Sequence, residues 1–126
     1  MDDYENSLYL NCERYQIIEV LESNNLEQIR SYLGAHKLII FDEAQKIKGI
    51  CNLLKLLYDT FPEYQILATG SSSFELSNEI TEALTGRNIK FIMYPLSLFE
   101  ISSVFSPFEL DVKLEGFLRF GMYPDI

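Results

Sequence analysis

The chain has no apolar stretch approaching the roughly 18 consecutive residues that a membrane span requires, so no membrane role is expected. Its opening, Met1-Asp2-Asp3-Tyr4-Glu5, is acidic and lacks the basic-then-apolar pattern of a secretory signal. A cytoplasmic location is the default expectation. Cations are scarce: 10 Lys and Arg face 19 Asp and Glu, a formal net charge of -9. Phosphate backbones are held by clustered cations, so nucleic acid is not expected as a partner of this chain alone. Cys12 and Cys51 form no C-x-x-C and stand near no histidine cluster, which points to two reduced, buried thiols and leaves zinc without ligands. His36 is the only histidine. It precedes a strand-like run, and no serine sits in a G-x-S-x-G elbow, so a Ser-His-Asp hydrolase is not supported. The absence with the largest chemical consequence is that of a phosphate-binding loop: no G-x-x-x-x-G-K-[ST] occurs in the 126 residues.

Against these absences stands Leu38-Ile39-Ile40-Phe41-Asp42-Glu43-Ala44-Gln45. Four uninterrupted apolar residues read as a parallel strand buried on both faces. Two carboxylates then follow, at the carboxyl end of the strand, where open α/β sheets bind ligands. A Walker B strand of a P-loop NTPase has this form, with the first carboxylate serving magnesium and the second polarising the attacking water. If both residues are extended, Asp42 and Glu43 point to opposite faces. The plainer alternative is an acidic pair that caps a turn.

With 48% apolar and 23% charged residues, the chain is composed like a globular protein and is long enough for one core. A short strand is expected at Leu8 to Cys12, a helix at Ile17 to Leu21, and another at Leu26 to Leu33. Asn24 and Glu27 resemble a capping box for that last helix, and Gly34 stops it. The Walker-B-like strand covers Lys37 to Asp42. Ile50, Leu53, Leu54, Leu57 and Phe61 make one apolar helical stripe before Pro62. Gln65 to Thr69 is the next buried strand, Phe74 to Leu84 a serine-capped helix, and Asn88 to Met93 a further strand closed by Pro95. Amphipathic helices are expected around Leu98 to Val104 and Val112 to Phe120. Strands alternating with helices give a parallel α/β sheet.

Thr69, Gly70 and Ser71 to Ser73 end the strand beside the acidic pair. Glycine and hydroxyls there suit a group that senses a γ-phosphate, and Ser72 or Ser73 would equally cap the next helix. Arg87, after Thr85-Gly86, is a candidate for stabilising transferred phosphate in cis or trans. Its alternative is a surface arginine whose charge suits a helix C-terminus. A metal-nuclease reading needs further converging carboxylates, and Glu75, Glu79 and Glu82 look like a solvated helix face instead.

Taken in order, Leu38 to Ile47, Ala68-Thr69-Gly70-Ser71-Ser72-Ser73, Leu84-Thr85-Gly86-Arg87, Tyr94-Pro95-Leu96-Ser97 and Phe120-Gly121-Met122-Tyr123-Pro124 resemble a prokaryotic AAA-type ATPase family. Its members carry an N-terminal AAA-like domain and a C-terminal domain of unknown function. The resemblance implies an α/β fold, a partial P-loop NTPase (AAA/ASCE-like) parallel sheet flanked by helices, without the Walker A strand and loop. It implies ATP and Mg as cofactors, Asp42 as the magnesium-associated carboxylate, Glu43 as the catalytic glutamate, and Thr69 or Ser71 as the sensor group. Arg87 matches the Gly-Arg that follows the sensor helix. Residues 1–126 then read as a truncated AAA-like domain, with the connection towards the C-terminal region starting near residue 95. A missing central strand would leave sheet edges bare, so self-association or complementation by a chain carrying that strand is expected, together with negligible ATP hydrolysis by this chain alone. The other readings are a non-catalytic protein-interaction module and a non-functional gene remnant.

Overall fold

In the computed structural model of the chain, residues 6–71 and 82–122 are described. They fall into two compact units, the first reaching Asn88 and the second beginning at Ile89. The chain is α/β. In the first unit, β1 (Ser7–Asn11), β2 (Leu38–Asp42) and β3 (Gln65–Ala68) form a parallel sheet in the order β1-β2-β3. Leu8 lies opposite Ile39, Asn11 opposite Asp42, and Phe41 opposite Ala68. Helices α1 (Tyr15–Leu21) and α2 (Leu26–Leu33) connect the first two strands, and α3 (Ile50–Thr60) connects the next two.

Both crossovers step across the sheet in the same direction. Right-handed connections of that kind put their helices on one face. Leu10, Cys12, Ile39 and Phe41 from the sheet accordingly share one core with Ile17, Leu21, Ile29, Leu33, Ile50, Cys51, Leu54 and Leu57 from the helices. The opposite face carries Tyr9, Ile40, Asp42 and Leu67, with Tyr9 59% and Leu67 47% exposed. The expectation of a central strand buried on both faces is therefore corrected. Burial along β2 alternates, because among the described residues helices cover only one side.

Local chemistry sets the boundaries. Asn25, one residue later than expected, caps α2 by accepting from the Gln28 amide at 3.1 Å. Gly34 then turns the chain at a φ of 65°, a conformation glycine adopts without strain. His36 sits at the start of β2 with Nδ1 2.8 Å from the Leu33 carbonyl. A carbonyl only accepts, so Nδ1 carries the proton. This is a structural role, as its position before the strand suggests.

The second unit holds α4 (Leu98–Ser102) and α5 (Pro107–Phe120). Each starts with a reciprocal capping box, Ser97 with Glu100 and Ser106 with Glu109. The α5 helix begins five residues earlier than its apolar spacing suggests, because Ser106-Pro107 is a strong start signal. The strand expected at Asn88 to Met93 does not form. Its alternating Ile89, Phe91 and Met93 are each more than 80% exposed. A strand exists only through a ladder partner, and the sheet among the described residues consists of β1, β2 and β3 without this segment. The helix expected at Phe74 to Leu84 lies almost wholly outside the described residues.

Phe41 is fully buried at the centre of the sheet. Phe41→Ala is expected to lower unfolding stability by about 3–5 kcal/mol, measured by urea denaturation.

Candidate functional site

The site is built at the carboxyl end of the sheet. The Cys12 amide donates to the Asp42 carbonyl at 2.9 Å, and the Thr69 amide to the Phe41 carbonyl at 2.8 Å. These bonds continue the ladder to the last residue of β2 and hold Asp42 between the ends of both neighbours. Two-residue alternation puts Tyr9, Asp42 and Thr69 on the same, open face. Thr69 Oγ1 donates to Asp42 Oδ1 at 2.5 Å. The Tyr9 phenol donates to Asp42 Oδ2. A single carboxylate thus collects one hydroxyl from each flanking strand.

The electrostatic consequence is direct. The Thr69 hydroxyl, then the Tyr9 phenol and the Glu43 backbone amide, hold the Asp42 carboxyl below its ordinary pKa, against a smaller opposing effect of burial. Donors to the charged form favour ionisation. The same contact raises the Tyr9 phenol, which would lose its acceptor on ionising. Burial, with Asp42 adding to it, pushes the Cys12 thiol up to about 11, so this cysteine is a neutral packing group.

Glu43 departs from the expected extended geometry. Its φ of 53° and ψ of 43° are left-handed, a conformation that costs a non-glycine residue about 1–3 kcal/mol. The strand therefore ends sharply at Asp42, and the chain enters a 3₁₀ turn at Ala44–Lys46. The Ala44 amide fixes that turn by donating to the Thr69 carbonyl at 2.9 Å. Within it, Gln45 Nε2 donates to Glu43 Oε2 at 2.5 Å and approaches Ser71 Oγ at 3.4 Å. Asp42, Glu43, Thr69 and Ser71 are thereby brought together by the ends of two strands and one turn.

Arg87 is not brought to this group. Its Nε donates to Asp59 Oδ1 at 2.9 Å, near the C-terminus of α3. That helix leaves the carboxyl end of β2 and returns towards the start of β3, so its C-terminus lies at the far end of the sheet. A depression of about 230 Å³, lined by Leu21, Leu26, Ile29, Lys48, Asn52 and Leu56 among others, is also separate from the carboxylates.

Two site residues escaped the sequence reading, Tyr9 and Gln45. Tyr9 is separated from Asp42 by two helices, and only strand register makes them neighbours. Gln45 had a signal, since it falls directly after the acidic pair.

Among the described residues no group of three or more His, Cys, Asp or Glu side chains could cage a metal. The oxygen donors of Asp42 and Thr69 nevertheless fit magnesium, which favours oxygen and takes one or two carboxylates, completing its shell with water and phosphate oxygens. The Asp42 carboxylate has about four lone-pair sites, one more than the three donors it accepts from Thr69, Tyr9 and the Glu43 amide.

The family model for the AAA domain matches residues 1–102. The chain belongs to this AAA domain family. An uncharacterized protein of Methanocaldococcus jannaschii is 32% identical over a 138-residue alignment covering 99% of the chain and 30% of that relative. One from Haemophilus influenzae is 31% identical over 133 residues, covering 97% and 32% respectively. The chain thus spans about a third of the length of these curated relatives. No solved structure matches it significantly. AAA membership fits the three-stranded parallel sheet flanked by helices, and nucleotide and magnesium binding is general to AAA proteins. No helix among the described residues is long and apolar enough to cross a membrane.

Removing either hydroxyl donor should raise the Asp42 pKa, with Thr69→Val moving it more than Tyr9→Phe. The Asp42 carboxylate is favoured in the fold, so it adds stability above its unfolded pKa of about 3.9, and this is lost as pH falls through the lower folded value. Carbon-13 carboxyl titration of the three proteins checks the order, and acid unfolding should begin at higher pH in Thr69→Val.

Proposed function

We propose that the chain carries the metal-and-water half of an ATP-hydrolysing site. The observation that carries this reading is the Asp42 carboxylate, held at the carboxyl end of the central strand by hydroxyl donors from both sides, with Glu43 adjacent. In this reading Asp42, with Thr69 beside it, holds magnesium, which when bound offsets phosphate charge. Glu43 orients and deprotonates the attacking water. Ser71, or Thr69 once its proton leaves Asp42, presents a hydroxyl to the γ-phosphate. Arg87 would join only after leaving Asp59.

The phosphate cradle does not come from this segment, whose sequence contains no Walker A loop. Two adjacent carboxylates in a chain of net charge -9 repel a nucleotide triphosphate unless cations and backbone amides offset them. The chain alone is therefore expected to hydrolyse ATP negligibly. Neither Cys12 nor Cys51 is in a disulfide, which suits the reducing cytoplasm, the setting this reading assumes.

The edge of β3 supports a second reading, in which the fold acts as an interaction module. Among the described residues nothing pairs with the outer edge of β3, and Leu67 is half exposed on the open face. An unpaired edge is a template for another strand. A strand from another chain is the occupant we propose, a second copy in the isolated protein.

Calorimetric titration with Mg-ATP tests the first reading, with Asp42→Ala alongside. No binding by the folded chain, and phosphate release no greater than that of Glu43→Gln, is expected of a half-site. Turnover above that control would show that the chain makes its own phosphate cradle.

Light scattering across a concentration series tests the second. The expected result is association that Leu67→Lys weakens, and a monodisperse monomer at every concentration would end this reading.

A further inference from the structure

We propose that Gln45 is the positioning residue for the Glu43 carboxylate, and that it ties this carboxylate to Ser71 beyond the end of β3. The inference deepens the proposed function, since it rests on Glu43 being the group that activates water.

Three observations converge on Gln45. The first is the backbone: Glu43 is held left-handed, and such strain persists only where surrounding contacts fix it. The Ala44 amide to the Thr69 carbonyl is one such contact. The second is the bond itself. One nitrogen, Gln45 Nε2, serves both Glu43 Oε2 and Ser71 Oγ, and a side-chain amide has two N–H groups to do so. The Glu43 contact is charge-assisted and the stronger of the two. At 3.4 Å the Ser71 contact is long and easily exchanged for another acceptor.

The third observation is the other end of the amide. Gln45 Oε1 is buried and has no hydrogen-bond partner among the described residues. Leaving a polar atom in that state costs about 1–3 kcal/mol. A side chain serving only to fill space would avoid this cost by being apolar, as leucine or methionine. Rotating the amide would bring its oxygen against the Glu43 carboxylate, which repels it. Gln45 is therefore an amide for the sake of its donor end, and that end faces Glu43.

The arrangement makes Glu43 responsive to Ser71. While Ser71 accepts from Gln45, the carboxylate is held on the turn side of the site. An anion that accepts the Ser71 proton reorients that hydroxyl, so the second acceptor of Gln45 Nε2 shifts, and the amide and Glu43 move with it. Asp42 takes its side-chain donors from Tyr9 and Thr69 rather than from Gln45, and meets Glu43 only through the Glu43 backbone amide.

Nuclear magnetic resonance on the chain without nucleotide tests the inference, so its outcome is separate from that of the ATP titration. In the wild-type protein one Gln45 side-chain amide proton should resonate downfield and exchange with solvent about tenfold more slowly than a free amide, as a charge-assisted hydrogen bond requires. Both signatures should vanish in Glu43→Ala. The Glu43 carboxyl carbon resonance should shift in Ser71→Ala, and this effect should be lost when Ser71→Ala is placed on Gln45→Met, a close match in size without the donor. Gln45→Leu serves the same purpose if the methionine variant does not fold, and the wild-type amide signals decide the point without either. Random-coil amide signals for Gln45 in the folded wild-type protein would overturn the positioning role. A Ser71→Ala shift that persists at full size without the Gln45 amide would overturn the link to Ser71.

Discussion

The apolar contact between one face of β2 and the helices behind it is the constraint on which the molecule depends. Ile39 and Phe41 are fully buried there, against Leu33 and Leu57, which are equally enclosed. Because the strand is thus anchored on one side, its other side is fixed in space, and Ile40 and Asp42 must point away from the helices. Burial of one set of side chains thereby places the carboxylate. Register does the rest: β1 and β3 pair with β2 so that Tyr9 and Thr69 stand on the same face as Asp42.

The site is a small polar network at the end of an apolar element, and its two carboxylates are held differently. Asp42 is kept ionised by hydroxyl donors on separate strands, so its state depends on the sheet being intact. Glu43 depends instead on a strained turn and on the amide two residues later. The groups nearest the proposed chemistry thus hang on two supports that meet at Thr69, whose hydroxyl serves Asp42 and whose carbonyl fixes the Glu43 turn.

Much of this was legible in the chain. The unbroken Leu38 to Phe41 run followed by Asp42 and Glu43 marked a strand and the point where it leaves the core, because charge cannot enter the core without a partner. The Ile50 to Phe61 stripe marked α3 for the same reason. The Asn88 to Met93 alternation was misleading. A period of two records a capacity to be a strand, and pairing requires a neighbour that the sequence of that segment cannot supply. The reading of Asp42 and Glu43 as an extended pair failed at Glu43, where the Ala44 to Thr69 bond accompanies a left-handed turn.

The sequence by itself determined the strands and helices around β2, the family to which the chain belongs, the acidic pair and the lack of a phosphate-binding loop, because each is written in contiguous residues or in short-range periodicity. Only the tertiary structure decided that Tyr9 and Thr69 share the oxygens of Asp42, that Arg87 is spent on Asp59, and that among the described residues one face of the sheet stands open. Those facts depend on strand order, register and the hand of the crossovers, which join residues tens of positions apart and leave no local trace in the chain.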